Sequence, residues 1–324
     1  MSNGIDLTGW NDEDWDRLFL MVDHDLCTPF LGAGASAGAP GTSGVLPTGK
    51  AMARDLADKN GYPFPDPDNL VRVAQFVAVK AGNPLVPKLN VIDKLKGKGP
   101  PNFAAPDEIH RAVADLNLPL YLTTNYDDFM TKALQRDAPP RIPRREVCYW
   151  NLIRRREPLP DRPPLAPTPD APVVYHLHGW LADADSMVLT EDDYLDFLIC
   201  ISETQELLPP QIQKAVASTS LLFLGYSLED MNFKVLFRKF AAYKRMGTGG
   251  QHFSVQLAPK AGADVPTDED KKRVGRQLEY LSRYYGSIDV KVYWGTCQDF
   301  ALDLRKRWQD WNLRKQKAAE TATP

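Results

Sequence analysis

Four short clusters in this sequence carry residue types that can do chemistry: Gly32-Ala33-Gly34-Ala35-Ser36, Thr123-Thr124-Asn125-Tyr126-Asp127, His176-Leu177-His178-Gly179 and Leu224-Gly225-Tyr226-Ser227. The first follows the apolar run Thr28-Pro29-Phe30-Leu31 and precedes a helical stretch. At a strand-to-helix turn, glycines let the backbone approach a ligand, and free N–H groups with the helix dipole favour an anion such as a pyrophosphate. Gly32 and Gly34 are placed for that, although G-x-G also makes purely structural turns. Asn125 has both an amide donor and a carbonyl acceptor and can hold a hydroxyl or orient a water. Its competing reading is a turn residue that satisfies local backbone. His178 is a candidate general base, because imidazole titrates near neutral pH. A histidine on an apolar strand is also commonly a satisfied core group. His176 shares its face of the strand two residues earlier, so one of the pair is expected to be structural.

Two other motifs fail on context. Gly32-x-Gly34-x-x-Ala37 fits a dehydrogenase fingerprint with Asp55 or Asp58 about twenty residues on, but both aspartates sit in a helical pattern and not at the end of a second strand. Gly44-Val-Leu-Pro-Thr-Gly49-Lys50-Ala51 has P-loop spacing. Ala51 stands where a magnesium-binding hydroxyl would be needed, and no apolar strand leads into it.

The elements that must position these clusters are legible as strands alternating with helices. Strand signals occur at Thr28–Leu31, Pro119-Leu-Tyr-Leu-Thr-Thr, Val173-Val-Tyr-His-Leu-His-Gly, Leu221-Leu-Phe-Leu-Gly, His252-Phe-Ser-Val-Gln-Leu and Ile288-Asp-Val-Lys-Val-Tyr-Trp. Such alternation predicts a Rossmann-like α/β fold, a mostly parallel sheet with helices on both faces. A first helix runs from the acidic Asp12-Glu13-Asp14 to near Val22, and another from Leu46 to Lys59, closed by Gly61. The expected organisation is one catalytic domain over residues 1–314, with Rossmann-like parts at 24–60 and 116–314. It carries a small helical insertion over 61–115 and an excursion over 136–172 dense in proline and arginine. The excursion is read as solvated surface, with a partner or nucleic-acid contact as the alternative. Residues 315–324 read as a disordered tail.

Composition narrows the class. The chain has 324 residues, 43% hydrophobic, with a formal net charge of -3, so nothing global favours nucleic acid or an anionic membrane. The acidic start lacks a secretory signal and no stretch is long and apolar enough to span a bilayer, so no membrane association is expected and the chain is read as cytoplasmic. Cys27, Cys148, Cys200 and Cys297 include no C-x-x-C pair, which suggests neither zinc nor a disulfide framework, and no metal is expected.

Taken in order, the four clusters resemble the sirtuin superfamily, with its G-A-G-x-S, T-x-N-x-D, H-G and late G-x-S. The resemblance covers about residues 30–298 and is closest to the bacterial sirtuin-like proteins of antiphage defence, supported by Asn69-Leu-Val-Arg-Val-Ala-Gln-Phe-Val-Ala and Leu189-Thr-Glu-Asp-Asp-Tyr. It implies NAD as substrate and hydrolysis of its nicotinamide-ribose bond. Asn125 would then hold a ribose hydroxyl or the attacking water, and the glycine that follows His178 selects it over His176 as the base. By the same resemblance Gly32, Ala33, Gly34, Ser36, Thr124, Asp127, Gly225 and Ser227 bind the cofactor, Asp127 through the nicotinamide amide and the serines through phosphate or adenosine ribose. Helix capping competes for Asp127 and for Ser227, the latter ahead of Asn232-Phe-Lys-Val-Leu-Phe. The missing four-cysteine zinc module, the missing Phe-Arg element and Tyr126 in place of the family's isoleucine set the chain apart from lysine deacylases. An acyl-lysine deacylase or ADP-ribosyltransferase is the alternative, and a non-catalytic NAD or ADP-ribose scaffold a third. The resemblance further implies a homo-oligomer and an activating partner protein such as a DNA-translocating ATPase or a short Argonaute.

Overall fold

Among the described residues seven strands, all parallel, form the main sheet: β1 (Cys27–Leu31), β2 (Leu120–Thr123), β3 (Arg144–Val147), β4 (Val173–His176), β5 (Ser220–Leu224), β6 (His252–Gln256) and β7 (Val290–Trp294), in spatial order β7-β6-β5-β1-β2-β4-β3. The computed structural model describes residues 8–37, 40–41, 44–137, 140–161, 163–204, 207–227, 234–235, 238, 250–259 and 267–322. From β1 the chain passes to β2, skips one place to the edge strand β3, returns to fill the gap with β4, and then crosses to the other side of β1 with β5. That reversal makes the carboxyl ends of β1 and β5 the topological switch point, where open α/β sheets form their crevice.

The strands are apolar nearly throughout because both sheet faces are covered. On one face, Leu31, Tyr121, Leu222, Leu224 and Tyr293 meet α1 (Asp12–Asp23), α6 (Ile109–Ala114), α7 (Phe129–Leu134) and α12 (Cys297–Ala322). On the other, Phe30, Leu122, Tyr175 and Phe223 meet α8 (Trp150–Arg155), α9 (Glu191–Glu203), α10 (Pro210–Ser218) and α11 (Asp268–Gly286). The alternation of Phe30 with Leu31, and of Leu122 with Tyr121, divides the two cores. A third core joins α3 (Gly49–Asn60), α4 (Leu70–Ala81) and α5 (Leu85–Lys96) through Leu56, Val73, Val77 and Ile92 to Met187 and Leu189.

Several boundaries differ from expectation. Thr48 caps α3 by accepting from the Ala51 N–H at 3.1 Å, so the helix starts at Gly49 and Leu46-Pro47 lie outside it. Asp55 lies on that helix, between Lys59 and Lys94, which excludes the dehydrogenase reading. α6, expected within the insertion, packs instead on the sheet. The proline- and arginine-rich stretch is not a surface excursion throughout: it supplies edge strand β3 and helix α8. Its Arg141 is 2% exposed and donates to Ala114 O, Leu118 O and Pro169 O at 2.7 to 2.9 Å, satisfying carbonyls at the end of α6. Residues 315–322, expected to be disordered, continue α12 as helix. Lys315 pairs with Asp23 at 2.8 Å, and a helix already nucleated propagates readily through Ala318, Ala319 and Glu320.

The insertion is fastened by a buried ion pair, Lys88 to Asp193 at 2.9 Å, between α5 and the start of α9. Asp193 also accepts from the Leu189 and Thr190 N–H groups and completes a capping box with Thr190. Replacing Lys88 by Met is expected to cost about 1–3 kcal/mol, at the low end for a broken buried pair because those backbone donors remain. Urea unfolding of Lys88→Met checks this, and an unchanged midpoint would contradict it.

Candidate active site at the strand ends

Strand register brings the four clusters together. Leu31 pairs with Leu224 and with Thr123, and Thr123 pairs with His176, so the last residues of β5, β1, β2 and β4 form one row. The residues that follow, Gly225, Gly32, Thr124 and Leu177, extend the row past the sheet, with Asn125 and His178 one step beyond.

The glycine turn is closed against the end of β5. Gly32 N–H donates to Leu224 O at 2.8 Å and Gly34 N–H to Gly225 O at 2.9 Å. These two amides, expected to be free for an anion, are therefore already paired. The glycines are needed first for close approach. A Cβ on Gly34 would lie 2.8 Å from Gly225 O, and one on Gly32 would lie 2.8 Å from the Tyr226 ring. Tyr226 crosses the end of β1, its hydroxyl 2.6 Å from Thr124 Oγ1 and donating to Leu31 O at 3.2 Å. Ala33 is exposed at the start of the four-residue turn α2 (Ala33–Ser36).

Asn125 is buried beside this turn. Its Nδ2 donates to Gly32 O at 3.1 Å and to Ser36 Oγ at 3.4 Å, and its backbone N–H donates to Thr123 Oγ1 at 2.9 Å. A carbonyl oxygen can only accept, so the amide nitrogen must face Gly32 and the side-chain carbonyl must face the other way. His176 Nδ1 donates to Asn125 O at 3.0 Å. His176 pins the Asn125 loop to β4 through this bond.

His178 sits in an apolar cage. Tyr194 and Phe197 of α9 present ring edges to it, with centroids 5.3 and 5.0 Å away. Gly179 at φ +85° turns the chain back so that Val188 N–H donates to His178 O, and a Cβ there would lie 2.2 Å from Ser186 O. Burial pushes the His178 imidazole down to about 3, so it is neutral at physiological pH by a wide margin and does not titrate near neutrality as its residue type suggested. Burial also lowers His176, to about 4, against the opposing effect of its bond to Asn125 O.

A pH dependence of stability follows. Both histidines have ordinary values near 6.5 when unfolded and depressed values when folded, so below pH 6.5 the unfolded chain takes up protons that the fold excludes. Stability falls with pH by about 1.4 kcal/mol per histidine per pH unit until the folded values are reached. Urea midpoints should drop between about pH 7 and pH 5, and His178→Phe should have the shallower slope. Equal slopes would contradict a neutral buried His178.

A cleft of about 660 Å3 opens at the ends of β1, β5, β6 and β7, lined by Gly34, Gly225, Ser227, Gln256 and Trp294 among others. Ser227 is exposed on its wall. Asp127 instead faces a separate pocket of about 250 Å3 with Trp180, Lys96 and Lys132. There it accepts from the Phe129 N–H at 3.0 Å, but the N-cap of α7 is Asp128 and not Asp127 as its position suggested, and burial raises the Asp127 carboxyl. Among the described residues there is no group of three or more His, Cys, Asp or Glu side chains that could hold a metal.

Comparison with known proteins decides the family. The model of the SIR2-like domain matches residues 119–284, half of the chain. The chain belongs to the SIR2-like family. A protein of Cytobacillus dafuensis named NAD(+) hydrolase ThsA is 28% identical over 238 residues, 72% of this chain and 42% of that protein. Its namesake from Acinetobacter baumannii (strain 532279) is 24% identical over 304 residues, 92% of this chain and 57% of that one. The SIR2-like chain thus spans about half the length of these curated relatives. A solved chain described under "Structural Basis for the Mechanism and Regulation of Sir2 Enzymes" is 14% identical, with a TM-score of 0.39, over 92% of this chain and all of that one, a likeness too weak to bear weight.

Within this SIR2-like site, sequence reasoning missed three side chains. Tyr226 has no role evident from its motif, yet it closes the glycine turn. His110 and Glu108, read only as part of a helix, stand directly behind Ser36: His110 Nε2 is 3.3 Å from Ser36 Oγ and His110 Nδ1 is 2.6 Å from Glu108 Oε1. Of the segment Asn232-Phe-Lys-Val-Leu-Phe only Lys234 and Val235 are described, both in helix, and the capping role proposed there for Ser227 falls on residues outside the described ones.

Proposed function

We propose that this chain hydrolyses the bond between nicotinamide and ribose in NAD, releasing nicotinamide, ADP-ribose and a proton. The observation that carries the reading is the fixed Asn125 amide: its nitrogen is held by Gly32 O and Ser36 Oγ, which leaves its carbonyl oxygen on the other side as the acceptor for a ribose hydroxyl or water in this reading. The names of the ThsA relatives supply the substrate.

Departure of nicotinamide leaves an oxocarbenium-like centre at the ribose, and one water adds to it. Little covalent help is required, so holding the ribose and the water accounts for most of the catalysis. His178, neutral at rest, accepts a hydrogen bond from a ribose hydroxyl or from that water. It takes up a proton only as positive charge leaves the nicotinamide ring and the water oxygen becomes acidic, because its resting value near 3 makes it a weak base beforehand. Gly32, Ala33, Gly34, Ser36, Thr124, Gly225 and Ser227 frame the place of the dinucleotide. Asp127 accepts from the Phe129 N–H and would have to release it to reach the nicotinamide amide.

In this reading residues 1–314 form one catalytic unit of an antiphage defence effector that depletes cytoplasmic NAD. It works as a homo-oligomer switched on by a partner such as a DNA-translocating ATPase or a short Argonaute. No helix of the described residues is long and apolar enough to cross a membrane. The test follows NAD, nicotinamide and ADP-ribose with the purified chain, alone and with the proteins encoded beside it. Stoichiometric nicotinamide and ADP-ribose are expected. NAD left intact in both conditions would overturn the reading. Nicotinamide release only with an acylated peptide, or label passing from NAD to protein, would replace it with acyl or ADP-ribosyl transfer.

A further inference from the structure

Behind the catalytic face lies a line of four buried polar side chains that no step above uses in full. Glu108, at the head of α6, accepts from the His110 and Arg111 N–H groups and from His110 Nδ1 at 2.6 Å. Burial alone would raise its carboxyl, but His110 and the two backbone donors outweigh that and hold it below the ordinary carboxylate value. A carboxylate only accepts, so His110 Nδ1 carries a hydrogen and the ring cannot turn without losing that bond. Its other nitrogen, Nε2, meets Ser36 Oγ at 3.3 Å, and Ser36 Oγ meets Asn125 Nδ2 at 3.4 Å. Glu108, His110, Ser36 and Asn125 are 7%, 1%, 8% and 8% exposed, so solvent gives little help in satisfying them.

We infer that Glu108 and His110 are positioning residues for Asn125, acting through Ser36 to hold its amide nitrogen inward and its carbonyl oxygen toward the substrate. With a lone pair on Nε2, the Ser36 hydroxyl donates to the imidazole and its oxygen accepts from Asn125. With a hydrogen on Nε2, the serine oxygen accepts from both. In either state Ser36 presents an acceptor to Asn125, which reinforces the demand of Gly32 O for the same amide nitrogen. Without His110 the serine hydroxyl is free to donate toward Asn125, which would favour the amide oxygen there and set Ser36 against Gly32. The line then stops holding the amide and begins to compete over its orientation. The role assigned to Glu108 and His110 rests on the reading of Asn125 as the group that orients ribose or water.

Glu108 also caps α6, so its removal confounds positioning with stability, and the test uses His110→Phe, Ser36→Ala and Ser36→Thr. His110→Phe is expected to lower kcat for NAD cleavage on the order of 10 to 100-fold with KM within about twofold, the pattern of a misplaced catalytic group, and Ser36→Ala to lower kcat to a similar extent, while Ser36→Thr restores most of that loss. Because His110 acts through Ser36, adding His110→Phe to Ser36→Ala should lower kcat no further. A readout independent of turnover is the Asn125 side-chain NH2 pair by nitrogen-15 NMR: its two signals should shift and exchange faster with water in His110→Phe and in Ser36→Ala. Unchanged amide signals, or effects on kcat that simply add, would overturn the proposal. If the wild type leaves NAD intact while the amide signals respond as expected, the positioning line stands and the hydrolase reading fails.

Discussion

Replacing Gly225 by alanine is expected to destabilise the fold by more than about 4 kcal/mol, enough to leave little soluble native protein. Gly225 has φ +73°, and a Cβ there would lie 1.9 Å from Ala35 N and 2.5 Å from Gly34 C. Both are backbone atoms, so no rotamer relieves the overlap. The turn after β1 would have to leave the turn after β5, breaking Gly34 N–H to Gly225 O and Gly32 N–H to Leu224 O. Gly61 is the matched control: its φ is +64° but a Cβ there meets nothing within 4 Å. Gly61→Ala should therefore cost only the left-handed backbone term, about 1–2 kcal/mol. Urea or thermal unfolding of the two variants separates strain from steric overlap. A Gly225→Ala protein as stable as Gly61→Ala would refute the packing account of this glycine.

The parts of the fold that could be read from the sequence are those where one strong effect dominates. β1, β2, β4, β5, β6 and β7 are visible as apolar runs because helices cover both faces of the sheet. β3 is not, since an edge strand carries charge: Arg144 pairs with Glu146 and Arg145 lies 3.9 Å from the Trp180 ring centroid, and the surrounding prolines mask the four residues between them. For the candidate site, the placement of Asn125 and the two glycine turns at neighbouring strand ends is legible, because each follows an apolar run. The character of His178 was not, because it depends on Tyr194 and Phe197. Those rings reach it only through a long-range arrangement, the reversal at Gly179 and the Thr190–Asp193 capping box held by Lys88. His110 is not legible for a different reason: Ile109, Ala112 and Val113 already account for a buried helix face, and nothing local marks the histidine between them as facing Ser36. Local periodicity reports burial, whereas the partner of a buried polar group is set by the crossing of distant segments.

Asn125 carries the other large expectation, and two substitutions separate its chemistry from its place in the fold. Asn125→Ala removes the outward carbonyl and the inward donor together. Nicotinamide release should fall at least about 10²-fold, since positioning is the main contribution available to this reaction. The stability cost should stay near 1 kcal/mol, because Gly32 O keeps its bond from Ala35 N–H at 2.9 Å. Asn125→Asp keeps the shape but places a carboxylate oxygen against Gly32 O, where only a donor fits. Activity should be lost to a similar extent and stability should fall by about 2 kcal/mol at neutral pH. The sign of its pH dependence is diagnostic. A buried carboxyl beside a carbonyl has a raised value when folded, so the fold binds the extra proton first and the penalty relative to wild type shrinks as pH falls. Once protonated, the introduced acid can again donate to Gly32 O, so unfolding measured at about pH 7 and pH 5 should show the gap closing, while turnover stays low because the outward acceptor is no longer held by the same geometry. Near wild-type turnover in Asn125→Ala would remove Asn125 from the mechanism, and a pH-independent gap in Asn125→Asp would show that the amide nitrogen does not face Gly32.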